Sequence, residues 1–405
     1  MEWGIINKDN FTSLKEIPIK RWDPLSTVSI TTDEFGLHKK LTRFYGHYSY
    51  LSPIRSRRPA GYKKENRKNA ARSVQEYYKE KKRDVFTALL EGKPLYNEDG
   101  SLLGDANTII ITEDDNKRDN PFSDLPHKIK RIPESTKAVT LINRYPSMAR
   151  IVDPEIKNQI VTQLPKNSKL AEGINLVTIA RNFYPSLDFK EIPAEVLEGI
   201  CVSMKESILY CILEAVERDY YDIPVSPFFN IGTKAGGSQP RLHSQVYIDL
   251  NGDGHGSRLE GILKAFKEMG DNCHLCASYH GGGSRIVLDS DYWTFYATGS
   301  PTRNYHLRFN PKEHIRRFSQ LNINQIRDLA KSLKIIFKAL DDLKIDENRN
   351  ILFNCCPYGY DANFHMFGDI IPHEIIGGAE MADNMRVARK LPEDAAKEIR
   401  DAISS

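Results

Sequence analysis

The spacing of hydrophobic positions is typical of strands in some parts of the chain and of helices in others. Residues 244–250 alternate between apolar and polar side chains, which is typical of a strand with one buried face. Short apolar runs at 138–143 and 173–180 indicate two further strands. Residues 194–220 instead carry apolar side chains at helical spacing and predict a long helix. Strands and a long helix therefore follow one another within this part of the chain.

The same order of elements returns in the second half. The segments 188–192 and 317–321 occupy equivalent places before two long helices. The predicted elements of the second half are strands at 285–288, 293–297 and 305–309, a helix at 324–343, and strands at 351–355 and 363–371. This repetition predicts an α+β fold of two tandem modules, each an antiparallel sheet with a helix across it.

The first third of the chain has a different composition. Residues 1–54 show no clear period, and residues 55–83 are crowded with Lys and Arg, as on a solvated helix face. Residues 91–135 are rich in Asn, Asp, Gly and Pro and indicate a long excursion or linker. We therefore expect an N-terminal extension at 1–135, a first module at 136–265 and a second module at 266–405.

Composition narrows the class of protein. With 405 residues, 40% hydrophobic and 27% charged, the chain is long enough for two or three globular domains. The formal charge of +3 does not point to a dedicated nucleic-acid binder, and no apolar run reaches the roughly 18 residues of a membrane span. The N-terminus shows no charged-then-apolar signal segment. The six cysteines include a CxxC rather than a secreted disulfide pattern, so we expect a cytoplasmic protein with a metal site.

The most informative stretch is residues 228–247, which read FFNIGTKAGGSQPRLHSQVY. Its glycine-rich loop can cradle phosphate oxygens with backbone N–H groups. His243 follows at the start of a strand, and Gln245, two residues on, lies on the same face. This pattern suits attack by a neutral imidazole on phosphorus, with the Gln245 amide steadying the non-bridging oxygens. The loop residues are Gly236, Gly237 and Ser238.

This stretch resembles the active-site segment of the galactose-1-phosphate uridylyltransferase branch of the histidine-triad (HIT) superfamily. That segment has Asn-x-Gly, a Gly/Ser loop and His-x-His-(Gly/Ser)-Gln in the same order. The resemblance implies that His243 is the nucleophile, that Gln245 assists it, and that Asn230 belongs to the nucleotide site. It also implies that each module has a HIT-like fold.

Two shorter motifs extend the resemblance toward the N-terminus. The stretch SPIRSRRP is similar to the family's Arg-x-x-Arg-Pro, whose arginines contact nucleotide-sugar phosphates, and this implies the same role for Arg55 and Arg58. The stretch NRYP is similar to the family's Asn-x-(Phe/Tyr)-Pro, which holds the nucleoside, and this implies that role for Asn143 and Tyr145.

Further matches lie near the C-terminus. Residues 364–367, 378–381 and 391–396 resemble the family's C-terminal segments in order and spacing. Glu380 matches a glutamate that contacts the hexose, which implies a sugar-binding role. The glutamine that follows it in the family has no clean counterpart, and Arg386 lies near that spacing. The identities of the sugar and of the acceptor therefore stay open.

A metal site is predicted in the second half. Cys273 and Cys276 form a zinc-type knuckle, for which the alternative is a pair of reduced thiols in a loop. The stretch PKEH, which ends at His314, resembles the family's Pro-Lys-x-His, and His365 lies on a later strand. Two thiolates and two imidazoles make a closed tetrahedral site that suits structural zinc. These second-half features resemble the ADP-glucose phosphorylase (adenylyltransferase) subgroup.

The first half departs from the family at its other zinc site. No cysteine occurs before Cys201, the position before the long helix falls near Pro185, and the first histidine of His-x-His is replaced by Arg241. We therefore expect about one zinc per chain. Arg241 has two open roles: to add positive charge beside a bound phosphate, or to pair with an acid in the vacated site.

The resemblance implies a nucleotidyltransferase. His243 would take the nucleoside monophosphate from a nucleotide sugar and pass it to a sugar 1-phosphate. In a second interpretation, inorganic phosphate or water attacks the same covalent intermediate, and the protein is a phosphorylase or hydrolase of nucleotide sugars or dinucleotides. A third is a nucleotide-binding or RNA-associated protein without turnover. The resemblance also suggests a homodimer, and the base, uridine or adenosine, is left open.

Overall fold

The computed structural model describes most of residues 168–405 and several short pieces of the chain before them. The described residues are 168–251, 257–277, 283–382 and 386–405, with the shorter pieces 29–32, 48–51, 55, 86, 137–143, 147–148, 158, 161–162 and 164. Arg58 and Tyr145, two predicted ligand contacts, and the predicted excursion at 91–135 lie outside the described residues.

Twelve strands occur among the described residues. They are β1 (Ser29–Thr32), β2 (Tyr48–Leu51), β3 (Ala138–Ile142), β4 (Lys169–Leu170), β5 (Gly173–Ala180), β6 (Val225–Ile231), β7 (His243–Asp249), β8 (Ile286–Asp289), β9 (Trp293–Ala297), β10 (Leu307–Pro311), β11 (Arg349–Asn354) and β12 (Phe367–Pro372).

Six α-helices and two 3-10 helices complete the described core. They are η1 (Ser186–Glu191), α1 (Ala194–Val216), α2 (Ser257–Met269), α3 (His274–Ala277), η2 (Phe318–Gln320), α4 (Ile323–Asp342), α5 (Gly378–Ala382) and α6 (Pro392–Ser404).

Nine of the strands form one antiparallel sheet, in the order β3-β5-β7-β6-β11-β12-β10-β9-β8. The predicted α+β class is confirmed. The two predicted sheets are halves of a single sheet, because β6 pairs with β11 in the register that places Phe228 opposite Leu352. This pairing satisfies backbone groups that each half would otherwise leave on an edge strand. The strands β2, β1 and β4 form a separate small sheet.

The two halves repeat one order of elements around that central pair. The first half runs β3, β5, η1, α1, β6, β7, and the second runs β9, β10, η2, α4, β11, β12. Helices α1 and α4 pack against each other, and η1 joins them through Phe189, whose ring stacks on Phe337 of α4 at 4.1 Å. A row across the sheet reads Gln245, Phe228, Leu352, Asp369, so Gln245 and Asp369 are equivalent positions.

The long helices lie close to their predicted bounds. The predicted helix at 194–220 ends at Val216 in α1, because Asp219 adopts a φ of 63° that no helix continues. Helix α4 begins after Asn322, whose side chain accepts from the Gln325 backbone in a capping box. Strand β6 and helices α2 and α6 are absent from the predicted elements. Pro227 lies within β6 and breaks the pattern of a central strand.

Candidate active site and metal cluster

His243 is the first residue of β7, which runs between β5 and β6 in the sheet. Its side chain is 2% exposed, and its Nδ1 lies 2.8 Å from the backbone oxygen of Arg241. A carbonyl oxygen can only accept, so Nδ1 carries the proton and the neutral ring keeps its lone pair on Nε2. His243 is therefore held in the tautomer that a nucleophilic imidazole needs.

Gln245 lies on the same face of β7, between Val177 of β5 and Phe228 of β6. The side chain is 2% exposed, and its Oε1 accepts no hydrogen bond from any described residue. Buried polar atoms of proteins nearly always have a partner, so each exception calls for an explanation. Gln245 therefore keeps an unpartnered acceptor on the face of β7 that carries His243.

The glycine-rich loop connects β6 to β7 and depends on its glycines. Gly232 and Gly236 have φ values of +78° and +89°, which only glycine adopts readily. A Cβ on Gly237 would lie 2.7 Å from the backbone oxygen of Asn230. Within the described residues Ser238 has a buried Oγ without a hydrogen-bond partner. The loop therefore offers a tight backbone curve and a hydroxyl that is available to a ligand.

Residues of the second module contact the glycine-rich loop. The Lys234 backbone N–H donates to Asn348 Oδ1 at 3.1 Å, and the Lys234 ammonium lies 2.8 Å from Asp346 Oδ2. A Cβ on Gly232 would collide with the same Asn348 side chain at 2.2 Å. The turn before β11 consequently packs directly against the predicted phosphate loop.

A cavity of about 420 Å³ opens farther along β7. Tyr247 lines it, and this residue is four positions after His243, about 13 Å along a strand. Arg55 donates to the Tyr247 hydroxyl at 3.2 Å and to the Ser147 hydroxyl. Arg55 therefore lies where the cavity meets β7. The lining residues are Ser147, Met148, Pro224, Val225, Ser226, Tyr247, Asp249, Arg258, Leu259, Ile262, Phe353, Asn354 and Cys355.

The chain around Asn143 is anchored by a residue that the sequence analysis missed. Asn143 donates its backbone N–H to the Asn175 carbonyl at 2.7 Å. The Asn175 side chain, 1% exposed, accepts from the backbone N–H groups of Ser147 and Met148, the latter at 3.1 Å. An asparagine inside the apolar run GINLVTIA was the available signal, since a buried amide needs partners.

Glu380 lies on α5, away from β7 along the chain. Its carboxylate accepts from the backbone N–H groups of Gly377 at 2.7 Å and Val387 at 3.4 Å. The Gly377 hydrogen bond lowers the pKa of Glu380 below its ordinary value, so the group is ionised. Arg386 donates to the Glu380 backbone oxygen at 2.8 Å. These contacts are local, and none of them joins Glu380 to the His243 group.

The four predicted metal ligands converge. One ligand atom from each of Cys273, Cys276, His314 and His365 lies within 4.8 Å of the others. Cys276 Sγ is 3.2 Å from His314 Nδ1 and 3.3 Å from His365 Nδ1, and Cys273 Sγ is 3.5 Å from His365 Nδ1. A tetrahedral centre with ordinary Zn–S and Zn–N bonds separates such ligands by about 3.5 Å. The cluster can therefore hold a metal ion.

Neighbouring groups orient these ligands. His365 Nε2 donates to the Pro311 carbonyl at 2.9 Å, which leaves the Nδ1 lone pair facing the sulfurs. Burial lowers the pKa of His365 to about 4, against that hydrogen bond, so the ring is neutral at physiological pH. Burial raises the pKa of the Cys276 thiol to about 11, and Cys273 adds to the rise. A bound cation would displace the thiol protons.

Arg241 is fully buried in the first module. Its guanidinium donates to the carbonyl oxygens of Ala180 at 2.7 Å and Arg181 at 2.6 Å. It also forms an isolated β-bridge with Pro185, the residue at the predicted pre-helix position. These contacts tie the end of β5 to the start of β7. They add a structural role to the two predicted for Arg241.

Asp369, the equivalent of Gln245 in the second module, was also missed. Asp369 Oδ1 lies 3.1 Å from His306 Nε2 and 2.8 Å from Arg308 Nε, and Oδ2 lies 2.9 Å from Arg258 Nη2 and 3.2 Å from Asn354 Nδ2. Burial would raise the pKa of Asp369. The hydrogen bond from His306 and the charge of Arg308 outweigh it and hold this pKa well below its ordinary range.

None of the helices in the described part of the chain is both long enough and apolar enough to cross a membrane.

No protein-family profile and no curated protein sequence match this chain. Solved structures do. A uridylyltransferase mutant matches with a TM-score of 0.56 and 20% identity, over 66% of this chain and 89% of that one. An ADP-glucose phosphorylase from Arabidopsis thaliana with bound ADP-glucose matches with a TM-score of 0.54 and 22% identity, over 66% and 82%. A GALT-like protein from Arabidopsis thaliana matches with a TM-score of 0.52 and 22% identity, over 66% and 83%. At this identity the likeness shows the fold, and at that level the resemblance is confirmed.

Proposed function

We propose that this chain is a nucleotidyltransferase that acts on a nucleotide sugar through a covalent nucleotidyl-His243 intermediate. The observation that carries the proposal is the geometry at the start of β7. The hydrogen bond from Nδ1 to Arg241 leaves a lone pair on Nε2, and the Gln245 amide lies two residues on. The loop of Gly236, Gly237 and Ser238 leads directly into this strand.

The chemistry follows as two displacements at one phosphorus. The Nε2 lone pair attacks the α-phosphorus, a P–N bond forms, and the P–O bond to the departing sugar phosphate breaks. A phosphate oxygen of a sugar 1-phosphate then attacks the same phosphorus, and the P–N electron pair returns to Nε2. The Arg241 carbonyl holds the Nδ1 proton throughout and stabilises the positive charge that the ring gains.

Substrate binding is assigned by the motifs together with the contacts. Arg55 is close enough to Tyr247 to present its guanidinium beside the cavity, and we assign it and Arg58 to the phosphates. Asn143 and Tyr145 are assigned to the nucleoside, Asn230 to the transferred phosphate, and Glu380 to the sugar. The neighbours that share the fold support a nucleotide sugar as substrate, since one of them holds ADP-glucose.

The metal cluster is assigned to one structural zinc per chain. Cys273, Cys276, His314 and His365 supply the two sulfurs and two nitrogens that zinc prefers. When bound, zinc would have four protein ligands and no open position, so it would tie α3 to the segments after β10 and before β12 without entering the reaction. His365, expected on a strand, lies two residues before β12. The division at residues 135 and 265, a homodimer and a cytoplasmic location remain part of this proposal.

A second candidate uses the same intermediate with a different acceptor. Inorganic phosphate or water would attack nucleotidyl-His243, and the chain would be a phosphorylase or a hydrolase. The observation in its favour is the shared fold with an ADP-glucose phosphorylase, at a TM-score of 0.54. The two candidates differ only in the second displacement.

The adduct itself tests the proposal. Incubation with UDP-sugars and ADP-sugars should raise the intact mass by one nucleoside monophosphate, and His243→Ala should remove the adduct and lower turnover about 10³-fold or more. His373→Ala, a change to a histidine of the second module outside both sites, serves as the matched control. Full turnover in His243→Ala would contradict the mechanism. Addition of hexose 1-phosphates, phosphate or buffer alone to the isolated adduct identifies the acceptor.

A further inference from the structure

We propose that Asn350, a residue of the second module, is a positioning residue that holds the Asn230 amide with its N–H donors toward the transferred phosphate. This inference rests on the proposed function and deepens it. It concerns a contact between β11 and β6, on the strand pair that joins the two modules.

The backbone carbonyl of Ala235 determines how the side-chain amides of Asn350 and Asn230 are oriented. Asn350 Nδ2 donates to the Ala235 carbonyl at 2.9 Å and to Asn230 Oδ1 at 2.8 Å. Because the Ala235 carbonyl only accepts, the atom of Asn350 that faces it must be the nitrogen. Asn230 must then face that nitrogen with its oxygen. The ordinary ambiguity between amide oxygen and nitrogen is therefore removed at both residues.

The Asn230 nitrogen consequently faces away from Asn350. It faces Gly236, where a Cβ would lie 3.4 Å from Nδ2. Since glycine has no Cβ, this volume beside the donor is open. Ser238, two residues along the loop, has a buried Oγ with no partner among the described residues. The open volume therefore has an amide donor beside it, and the same loop carries a hydroxyl without a partner; both are groups that bind phosphate oxygens.

The strand register places this donor next to the nucleophile. Phe228 pairs with Gln245 and Phe229 with Ser244, where the pairing ends, and this register continued by one residue opposes Asn230 to His243. Directly opposed residues of antiparallel strands have Cα atoms about 4.5–5.5 Å apart and side chains on the same face. The Asn230 amide and the His243 imidazole are therefore neighbours on the face that carries Gln245.

A donor fixed in this way stabilises the transition state because no reorganisation is needed when charge develops on the phosphate oxygens. Without Asn350, the Asn230 amide can rotate and turn its oxygen toward the phosphate. The partial negative charge of that oxygen then repels the phosphate. Asn350 touches Asn230 and the Ala235 carbonyl, and we assign it no contact with substrate. Its effect on the reaction is exerted through Asn230.

Two substitutions at Asn350 test the orientation. Asn350→Ala removes the donor, and Asn350→Asp replaces it with an acceptor that draws the Asn230 nitrogen away from the phosphate. We expect the rate of adduct formation to fall about tenfold in the first and about 100-fold in the second, since loss of one oxyanion donor costs about 10²–10³. Asn322→Asp, at the N-cap of α4, is the matched control, because Asp and Asn cap equally well.

A double-mutant cycle separates positioning from a structural role. In an Asn230→Ala background, Asn350→Ala should cause no further loss in adduct rate, whereas independent effects would multiply. The thermal midpoint of each variant is measured beside the rate, since a merely structural role lowers the midpoint equally in both backgrounds. Binding of UMP and AMP provides a readout that needs no turnover, and both Asn350 variants should weaken it.

The outcomes distinguish the two proposals. If Asn350→Ala and Asn350→Asp form the adduct and bind UMP and AMP as the unmodified chain does, the positioning role is wrong while the His243 mechanism stands. Multiplicative losses in the double mutant also overturn it. If His243→Ala retains the adduct, the proposed function is wrong, and the nucleotide-binding cycle alone decides the role of Asn350.

Discussion

The central strands β6 and β11 are flanked by β7 of the first module and β12 of the second. At equivalent positions β7 carries Gln245 and β12 carries Asp369. The Gln245 amide oxygen accepts no hydrogen bond from described residues, whereas the Asp369 carboxylate accepts three and also has His306 Nε2 at 3.1 Å. The two positions are equally buried. One polar group therefore keeps an unpartnered oxygen, and the other is saturated by the protein's own contacts.

The contrast continues in the residues that come before these two positions. Two residues before this position, the first module has His243, and the second has Phe367, whose ring lies under the Arg308 guanidinium at 4.5 Å. Four residues before it, the first module has Arg241 and the second has the metal-cluster residue His365. The first module thus has the candidate nucleophile two residues before this position, and the second has a candidate metal ligand four residues before it.

The two modules therefore differ in how they satisfy equivalent buried polar groups. A buried amide oxygen without a partner costs free energy, on the order of 1–3 kcal/mol, and departures of this kind occur at functional sites. A saturated buried carboxylate instead contributes to the stability of its module, and the four-ligand cluster would do so with a metal ion bound. Substitutions at equivalent positions should therefore have opposite consequences in the two modules.

Metal content should show the largest difference. Purified protein should carry about one zinc per chain, and Cys273→Ser should lose it along with thermal stability, because metal at about a thousand times Kd contributes about 4 kcal/mol. Cys201→Ser, a change to a buried cysteine of the first module, should keep the metal. Elemental analysis and thermal unfolding measure both. Two metals per chain would break the comparison by revealing ligands in the first module.

Substitutions at Gln245 and Asp369 should give the second-largest difference between the modules. Asp369→Asn removes the charge that compensates Arg258 and Arg308 and should lower the free energy of unfolding by about 3–5 kcal/mol. Gln245→Leu, which removes an amide oxygen without a partner, should leave that free energy nearly unchanged while it slows adduct formation. Denaturant unfolding and intact-mass kinetics distinguish these results. Equal destabilisation by both changes would contradict the contrast.

The dependence of stability on acid pH should also differ between the Asp369 and Gln245 variants. The pKa of Asp369 is lower in the folded chain than in the unfolded one, so its stabilisation is fully present above about pH 4, the ordinary value for Asp. It is lost as the pH falls below that value toward the folded pKa. Asp369→Asn should therefore show a weaker loss of stability below about pH 4 than the unmodified chain, whereas Gln245→Leu should not alter this dependence.

Arg241 should give the smallest effect. Arg241→Met leaves the Ala180 and Arg181 carbonyls without this donor and should cost about 1–3 kcal/mol of unfolding free energy. Arg241→His should bind no additional metal, because no cysteine precedes Cys201 to complete a site. Thermal unfolding and metal analysis measure the two variants. Recovery of a second zinc in Arg241→His would show that the first module kept its other ligands.

Periodic stretches were predictable and irregular ones were not. Strand β5 and helices α1 and α4 were found within a few residues, because their buried faces leave a regular hydrophobic pattern. Strand β6 was missed because Pro227 and the following motif resemble a loop. Asn175 and Asp369 were missed because their partners lie far away in sequence, and a polar residue gives no sign of its partner.

By itself the sequence determined the α+β repeat, the placement of His243 and Gln245 on one strand face, and the residue types of a four-ligand cluster. Each of these follows from local spacing, since strands alternate every two residues and ligand chemistry is a property of the side chain. Only the tertiary structure decided that the modules share one sheet and that Asn350 meets Asn230 across 120 positions. Strand register is set by packing between distant segments, and no local pattern records it.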